Sequence, residues 1–222
     1  MRHVAGFACA LLLLIAGCDT RGCNVQITHS TKGSGVEKTE TRTVGAFDEV
    51  ESSNGIEVDV DVGAAGPVEL TGDDNLLPLI ETEVQGHRLR VHTKAGASYD
   101  GHVRVHVPAK ELKSASATSG SSLSAKAVKA PSFVIEATSG ATLKASGASD
   151  DVRARVTSGA TVDASGLEAK SVEIDASSGA AVQLHATESV TGSASSGASI
   201  TVAGNPKARS VSQSSGGSAT YR

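Results

Sequence analysis

The chain contains no tryptophan, and aromatic residues make up only 2% of its 222 positions. A core assembled around large aromatic side chains is therefore excluded, and any interior has to be narrow and filled by Ala, Val, Leu and Ile. Cysteine is scarce as well, at three residues, which leaves no disulfide framework. Net charge is small at −4, falling to −5 once Arg2 is removed with the leader, and acids and bases are interspersed. That balance argues against nucleic acid as a partner. After the first 17 residues there is no second long apolar run.

The apolar run that does exist follows Arg2 and His3, extends from Val4 to Gly17 and meets Cys18. It is shorter than the roughly 20 apolar residues of a membrane span and has the layout of a secretory signal. Leu14-Ile15-Ala16-Gly17-Cys18 resembles a bacterial lipobox, in which small residues fit the peptidase and the cysteine thiol takes the lipid. Residues 1–17 are expected to be a lipoprotein signal peptide and Cys18 the lipid-attachment residue, giving a membrane partner through the N-terminal lipid. Cleavage there leaves 205 of the 222 residues. With Cys9 removed and Cys18 acylated, Cys23 is the one remaining thiol, an unpaired residue of the tether, and the exported fold must be stable without an internal disulfide. Residues 18–42, polar and rich in Thr, Lys, Gly and Glu, are expected to form a lipid-anchored tether.

From Thr118 onward one phrase recurs six times, as ATSGSSLSA, ATSGATLKA, VTSGATVDA, ASSGAAVQL, ASSGASITV and QSSGGSATY. Its glycines, Gly120, Gly140, Gly159, Gly179, Gly197 and Gly216, are spaced 20, 19, 20, 18 and 19 residues apart. A step of that size marks a stacked solenoid. Each unit has two short stretches of alternating apolar residues and two corners of glycine or small residues, which is a rung of β-helix. The expected core columns are Leu123, Leu143, Val162, Val182, Ile200 on one strand and Phe133, Val152, Val172, Val190 on the return, each shadowed two residues on by a second column. Outward positions place Glu136, Arg155 and Asp175 in register, and likewise Lys144 and Asp163, so successive rungs carry opposite charges. At the corners, glycine supplies a positive φ and the preceding hydroxyls are expected to satisfy turn amides; a hydroxyl-lined ridge that recognises glycans is the alternative. Arg209 and Gln213 replace apolar residues in the final unit, as in a capping rung.

Residues 43–113 are β-rich without the strict repeat. Ile56, Val58, Val60 and Val62 alternate with Glu57, Asp59 and Asp61, whereas Leu89 and Val91, then Val103, Val105 and Val107, alternate with Arg and His. If these strands are neighbours, opposite charges across the ladder favour one register. Asp73 to Ile80 is expected to form a short helical turn with an acidic start, and Gln85-Gly86 a hairpin corner. Phe47-Asp48-Glu49-Val50, Asn54-Gly55-Ile56-Glu57-Val58, Gly72-Asp73-Asp74-Asn75-Leu76-Leu77 and the segment from Val105 to Leu112 together resemble the GIN-domain family, the auto-transporter adhesin head domain. Gly55-Ile56-Glu57 departs at one position from the Gly-Ile-Asn that names it. The resemblance covers residues 43–222 and implies an all-β, right-handed parallel β-helix in a bacterial envelope lipoprotein. It implies no ligand.

Sites that need converging groups are not supported. Asp150, Asp151, Arg153 and Arg155 come nearest to a glycan-cleaving set, Glu57, Asp59 and Asp61 are too far apart along a strand to chelate one Ca²⁺, and His87, His92, His102 and His106 lack zinc spacing. No cofactor, metal or catalytic residue is expected. The reading is a non-enzymatic, lipid-anchored envelope protein, periplasmic or surface-exposed, that serves as an adhesin-like scaffold for a surface glycan or envelope protein. A structural protein without a discrete ligand is the alternative, followed by a glycan-active enzyme.

Overall fold

A computed structural model describes residues 30–222; the expected signal peptide, the expected lipid-attachment residue Cys18 and the thiol of Cys23 lie outside the described residues. The described residues are all-β apart from one 3₁₀ turn. It opens with the short strands β1 (Thr31–Lys32) and β2 (Glu37–Arg42), followed by β3 (Glu49–Ser52), β4 (Glu57–Val62) and β5 (Val68–Asp73). The 3₁₀ turn, Leu77–Leu79, leads into β6 (Ile80–Gln85), β7 (Arg88–Thr93), β8 (Tyr99–Asp100), β9 (Val103–Ala109) and β10 (Ser114–Ala117). Long bent strands then carry the repeats: β11 (Ser122–Ala137), β12 (Thr142–Val156), β13 (Thr161–Ala176) and β14 (Ala181–Ala194), closed by β15 (Ser199–Ala203), β16 (Ala208–Gln213) and β17 (Ser218–Tyr221).

These strands stack in parallel into a β-solenoid of about 5 turns. Alternation with period two sends every second side chain inward, and rung-on-rung pairing buries each against its counterparts above and below. One column runs Val105, Val58, Leu123, Leu143, Val162, Val182, Ile200 and Ala219. A second, across the narrow interior, runs Leu89, Val50, Ala115, Ile135, Ala154, Ile174, Gly192 and Val211. The expected columns are in register, and Phe133 is the one aromatic side chain among the fully buried residues described. The rungs have a third inward position at the bend, shown by buried Val128 and Leu167. Register shifts fall there, between Ala125 and Val128 and again between Ala164 and Glu168, so the bend absorbs the variation in repeat length.

The stack reaches further upstream than the repeat does. Asn54-Gly55 turns the same corner as the Ser-Gly pairs, with β3 on β10 and β4 on β11. β7 and β9 then pair in parallel with the other side of β3 and β4, so the rung made earliest in the sequence is inserted between two later ones. Residues 43–113 thus share the solenoid's core and remain irregular in loop length, strand order and strand direction.

Beyond that rung the direction reverses. β5 runs antiparallel to β9, β6 to β7, and β2 to β5, which ends the parallel array. Gly86 at φ +64 turns the β6–β7 hairpin as expected. Two expectations need correction. Glu37–Arg42, assigned to the tether, is a strand held to β5 by backbone pairing; no position of it is buried, so apolar alternation could not mark it. The 3₁₀ turn has no acidic residue in its first turn: Asp73 ends β5, while Asp74 and Asn75 bind Ser34. Arg42 instead clasps this turn from outside, donating to the carbonyls of Ile80 at 2.7 Å and Leu77 at 3.0 Å. At the other end Arg209 lies 4.7 Å from the centre of the Tyr221 ring, covering the final core columns with a cation–π contact.

Candidate functional site

The feature repeated most strictly is the corner. In each, two consecutive residues take the left-handed conformation: Ser119, Ser139, Ser158, Ser178, Ser196 and Ser215 have φ between 49° and 55°, and each following glycine lies between 71° and 79°. Asn54 at φ 60° occupies the equivalent place in the inserted rung. Two positive φ values in succession make a type I′ turn, closed by the amide of the residue after glycine, as in Ala160 N–H donating to the Thr157 carbonyl at 3.2 Å.

The glycine amide points along the stack. Gly120 donates to Ser139 O, Gly140 to Ser158 O, Gly159 to Ser178 O, Gly179 to Ser196 O and Gly197 to Ser215 O, all at 2.9–3.1 Å. Carbonyls thus satisfy the turn amides that the hydroxyls were expected to satisfy. An exception is Ser121, whose buried Oγ accepts from the Thr118 amide and donates to Ser52 O. The corner serine hydroxyls are exposed, and among the described residues the one hydrogen bond they make within the protein is Ser139 Oγ with Thr138 Oγ1 at 3.4 Å. A second row beside them, Thr118, Thr138, Thr157, Ser177 and Ser195, is half-buried, with Thr138 and Thr157 hydroxyls bonded at 3.1 Å. From Asn54 to Ser215 the ridge spans about 29 Å at ~4.8 Å per rung.

Charged faces, by contrast, are internally paired. On the N-terminal rungs Arg88 binds Glu49 at 2.8 Å and Glu51 at 3.3 Å, and the hydrogen bond to Glu49 raises its pKa against the opposing effect of burial. Arg104 binds Glu57 at 3.1 Å, Lys126 reaches Asp59 at 3.7 Å, and His106 lies 3.8 Å from Asp61. The acidic face of β4 is therefore met by the basic face of β9, in the register expected for neighbours. Along the repeats, Glu136, Arg155 and Asp175 align as expected, but ion pairs form elsewhere, between Arg153 and Glu173 at 3.0 Å one outward column over and between Lys170 and Asp150 at 2.6 Å at the bend. Asp150 and Arg153, half of the nearest approach to a glycan-cleaving set, are thus engaged with other partners. Among the described residues, no group of three or more His, Cys, Asp and Glu could hold a metal ion.

Residues 46–206 match the family described as "Putative auto-transporter adhesin, head GIN domain". The chain belongs to the GIN-domain family. Its solenoid is similar to the crystal structure of a putative adhesin from Bacteroides fragilis, with TM-score 0.66 and 15% identity over 87% of this chain and 100% of that one. Similar too are a putative adhesin from Parabacteroides merdae (TM-score 0.53, 17% identity, 87% and 99% covered) and a putative lipid binding protein from Parabacteroides distasonis (TM-score 0.53, 16% identity, 87% and 100% covered). At such identities the likeness shows the fold alone. No curated protein matches the chain. Membership of the GIN-domain family points to an adhesin-like protein of the cell envelope or surface.

Proposed function

We propose that this GIN-domain protein is a non-enzymatic, lipid-anchored envelope scaffold whose corner ridge binds surface glycans through many weak contacts. The observation that carries the reading is the conformation of the six corner serines. A left-handed L-residue costs roughly 1–2 kcal/mol, and Asn, present at the equivalent Asn54, tolerates that region better. Serine recurs at all six strained corners, and its hydroxyl is used almost nowhere inside the fold. Strain held at a repeated exposed position points to a function for the side chain. Hydroxyls at regular spacing offer donors and acceptors to a polyhydroxylated chain, and distributed contacts gain by multivalency.

Glycan-array binding of the wild type and of Ser139→Ala, Ser158→Ala and Ser178→Ala, singly and together, tests this. Alanine keeps the backbone strain and removes only the hydroxyl, so each single variant should weaken binding slightly and the triple variant cumulatively. Release of sugar products would instead reveal an enzyme, and a wild type that binds no glycan would favour a purely structural role. The anchor is tested separately, since Cys18→Ala should abolish labelling by a fatty-acid analogue and release the protein from membranes.

A further inference from the structure

Residues 43–47, between β2 and β3, and residues 63–67, between β4 and β5, contain no charged side chain. The two loops face each other across a groove of about 600 Å³, whose remaining wall is the end of β9 with Pro108 and the following Lys110. Val44 and Phe47 lean on the core from one side, and Ala65 and Pro67 stand exposed on the other. Of the residues lining the groove Lys110 alone is charged. It is exposed and, among the described residues, has no ion pair or hydrogen bond, whereas Lys113 nearby is held by Asp48 at 2.6 Å.

A groove at the bend of the repeats makes the contrast. It is of similar size, about 690 Å³, but Lys129, Asp150, Glu168 and Lys170 balance its charge and Lys170 is already bound to Asp150. It favours no ligand charge. The loop groove does, because apolar walls with one unpaired cation at the rim match a hydrocarbon chain carrying one negative head, and its volume lies in the ~300–1,000 Å³ range of small-molecule sites.

We propose that this groove binds a single-chain anionic amphiphile, a fatty carboxylate taken up as the free monomer, with its chain between the two loops and its head at Lys110. The site is separate from the corner ridge and does not depend on glycan binding there.

Calorimetric titration of the full-chain protein with decanoate, undecanoate and dodecanoate below their micellar concentrations tests the proposal, with dodecan-1-ol as the uncharged probe. One saturable site is expected, strengthening about fourfold for each added methylene. Lys110→Gln should weaken dodecanoate about two- to fivefold and leave dodecan-1-ol unchanged, as an exposed ion pair predicts. Ala65→Glu, which adds a carboxylate to an exposed position of the wall, should weaken dodecanoate further, and Lys129→Gln at the bend should change nothing. Thermal melts establish that the variants remain folded. Absence of saturable binding, affinity independent of chain length, dodecanoate binding indifferent to both Lys110→Gln and Ala65→Glu, or binding to phosphatidylglycerol vesicles but not to monomers would each overturn it.

Discussion

Three glycine-to-alanine substitutions add the same methyl group to three environments, and the structure assigns them three different costs. At Gly192 the backbone has φ +138°, and an added Cβ would lie 1.8 Å from the Ile174 carbonyl oxygen of the rung below. That contact is backbone against backbone, so the rungs must separate or Gly192 must leave its place in the core column. Strain of about 1–3 kcal/mol and overpacking of about 1–3 kcal/mol add to about 2–6 kcal/mol. At Gly159 the added Cβ meets nothing within 4 Å, and only the left-handed φ of +71° opposes it. A cost of about 1–2 kcal/mol for that conformation, offset by about 0.4–1 kcal/mol from the stiffer unfolded chain, leaves about 0–1.6 kcal/mol. At Gly45 there is neither a neighbour within 4 Å nor a positive φ, so Gly45→Ala should stabilise by about 0.4–1 kcal/mol. Urea unfolding followed by far-UV circular dichroism reads all three. With m near 2 kcal/mol/M, the midpoint should fall by about 1–3 M for Gly192→Ala, by about 0.8 M or less for Gly159→Ala, and rise slightly for Gly45→Ala. Equal losses at Gly192 and Gly159 would refute the tight rung contact, and a loss at Gly45 would refute the open loop.

Val172 is 2% exposed between Val152 and Val190, so Val172→Asp should cost several kcal/mol for an unpaired buried carboxylate, whereas Glu173→Ser removes only the exposed pair with Arg153 and should cost at most about 1 kcal/mol; comparable drops in melting temperature would contradict the register. The hydrogen bond from Lys113 to Asp48, and then the Asp48 charge, raise the Lys113 pKa above its ordinary value of 10.5. The folded state holds that proton more tightly, so the stabilisation is present below the ordinary lysine pKa and is lost as pH rises through the folded one; an NMR titration should show Asp48→Asn bringing the Lys113 midpoint down, and an unchanged midpoint would remove Asp48 as the cause.

The regular rungs were legible because each repeats a local code: an inward apolar pair, a Ser-Gly corner and a return strand, with partners always about one repeat away. Val162 and Val172 could be placed inward with no knowledge of the third dimension. The inserted rung was not legible in the same way. Ser53-Asn54-Gly55-Ile56 is a corner of the same kind, yet its partners lie far along the chain on both sides, and nothing local orders β7, β3 and β10. β2 was hidden for a different reason: backbone pairing with β5 places it in the sheet, and a strand that buries nothing leaves no periodicity. At the corners, glycine signalled its own positive φ, but serine has no such preference, so its left-handed conformation and the outward turn of its hydroxyl emerged only from the geometry.

The inserted rung also dictates an order of assembly. Glu49 pairs with Arg88 on one side and Ser114 on the other, so β3 and β4 stay half-bare until both later strands exist. Before that moment neither flank has a template, and the loop-closure entropy of two long excursions must be met together. Once β10 and β11 are in place, each later turn has a finished surface to zip onto and needs only the next stretch of about one repeat. The N-terminal rungs should therefore form as a single late-closing nucleus, with the repeats growing from it toward the C-terminus. Hydrogen exchange would see this as one highly protected block grading into progressively weaker turns, with amides of β16 and β17 the first to open.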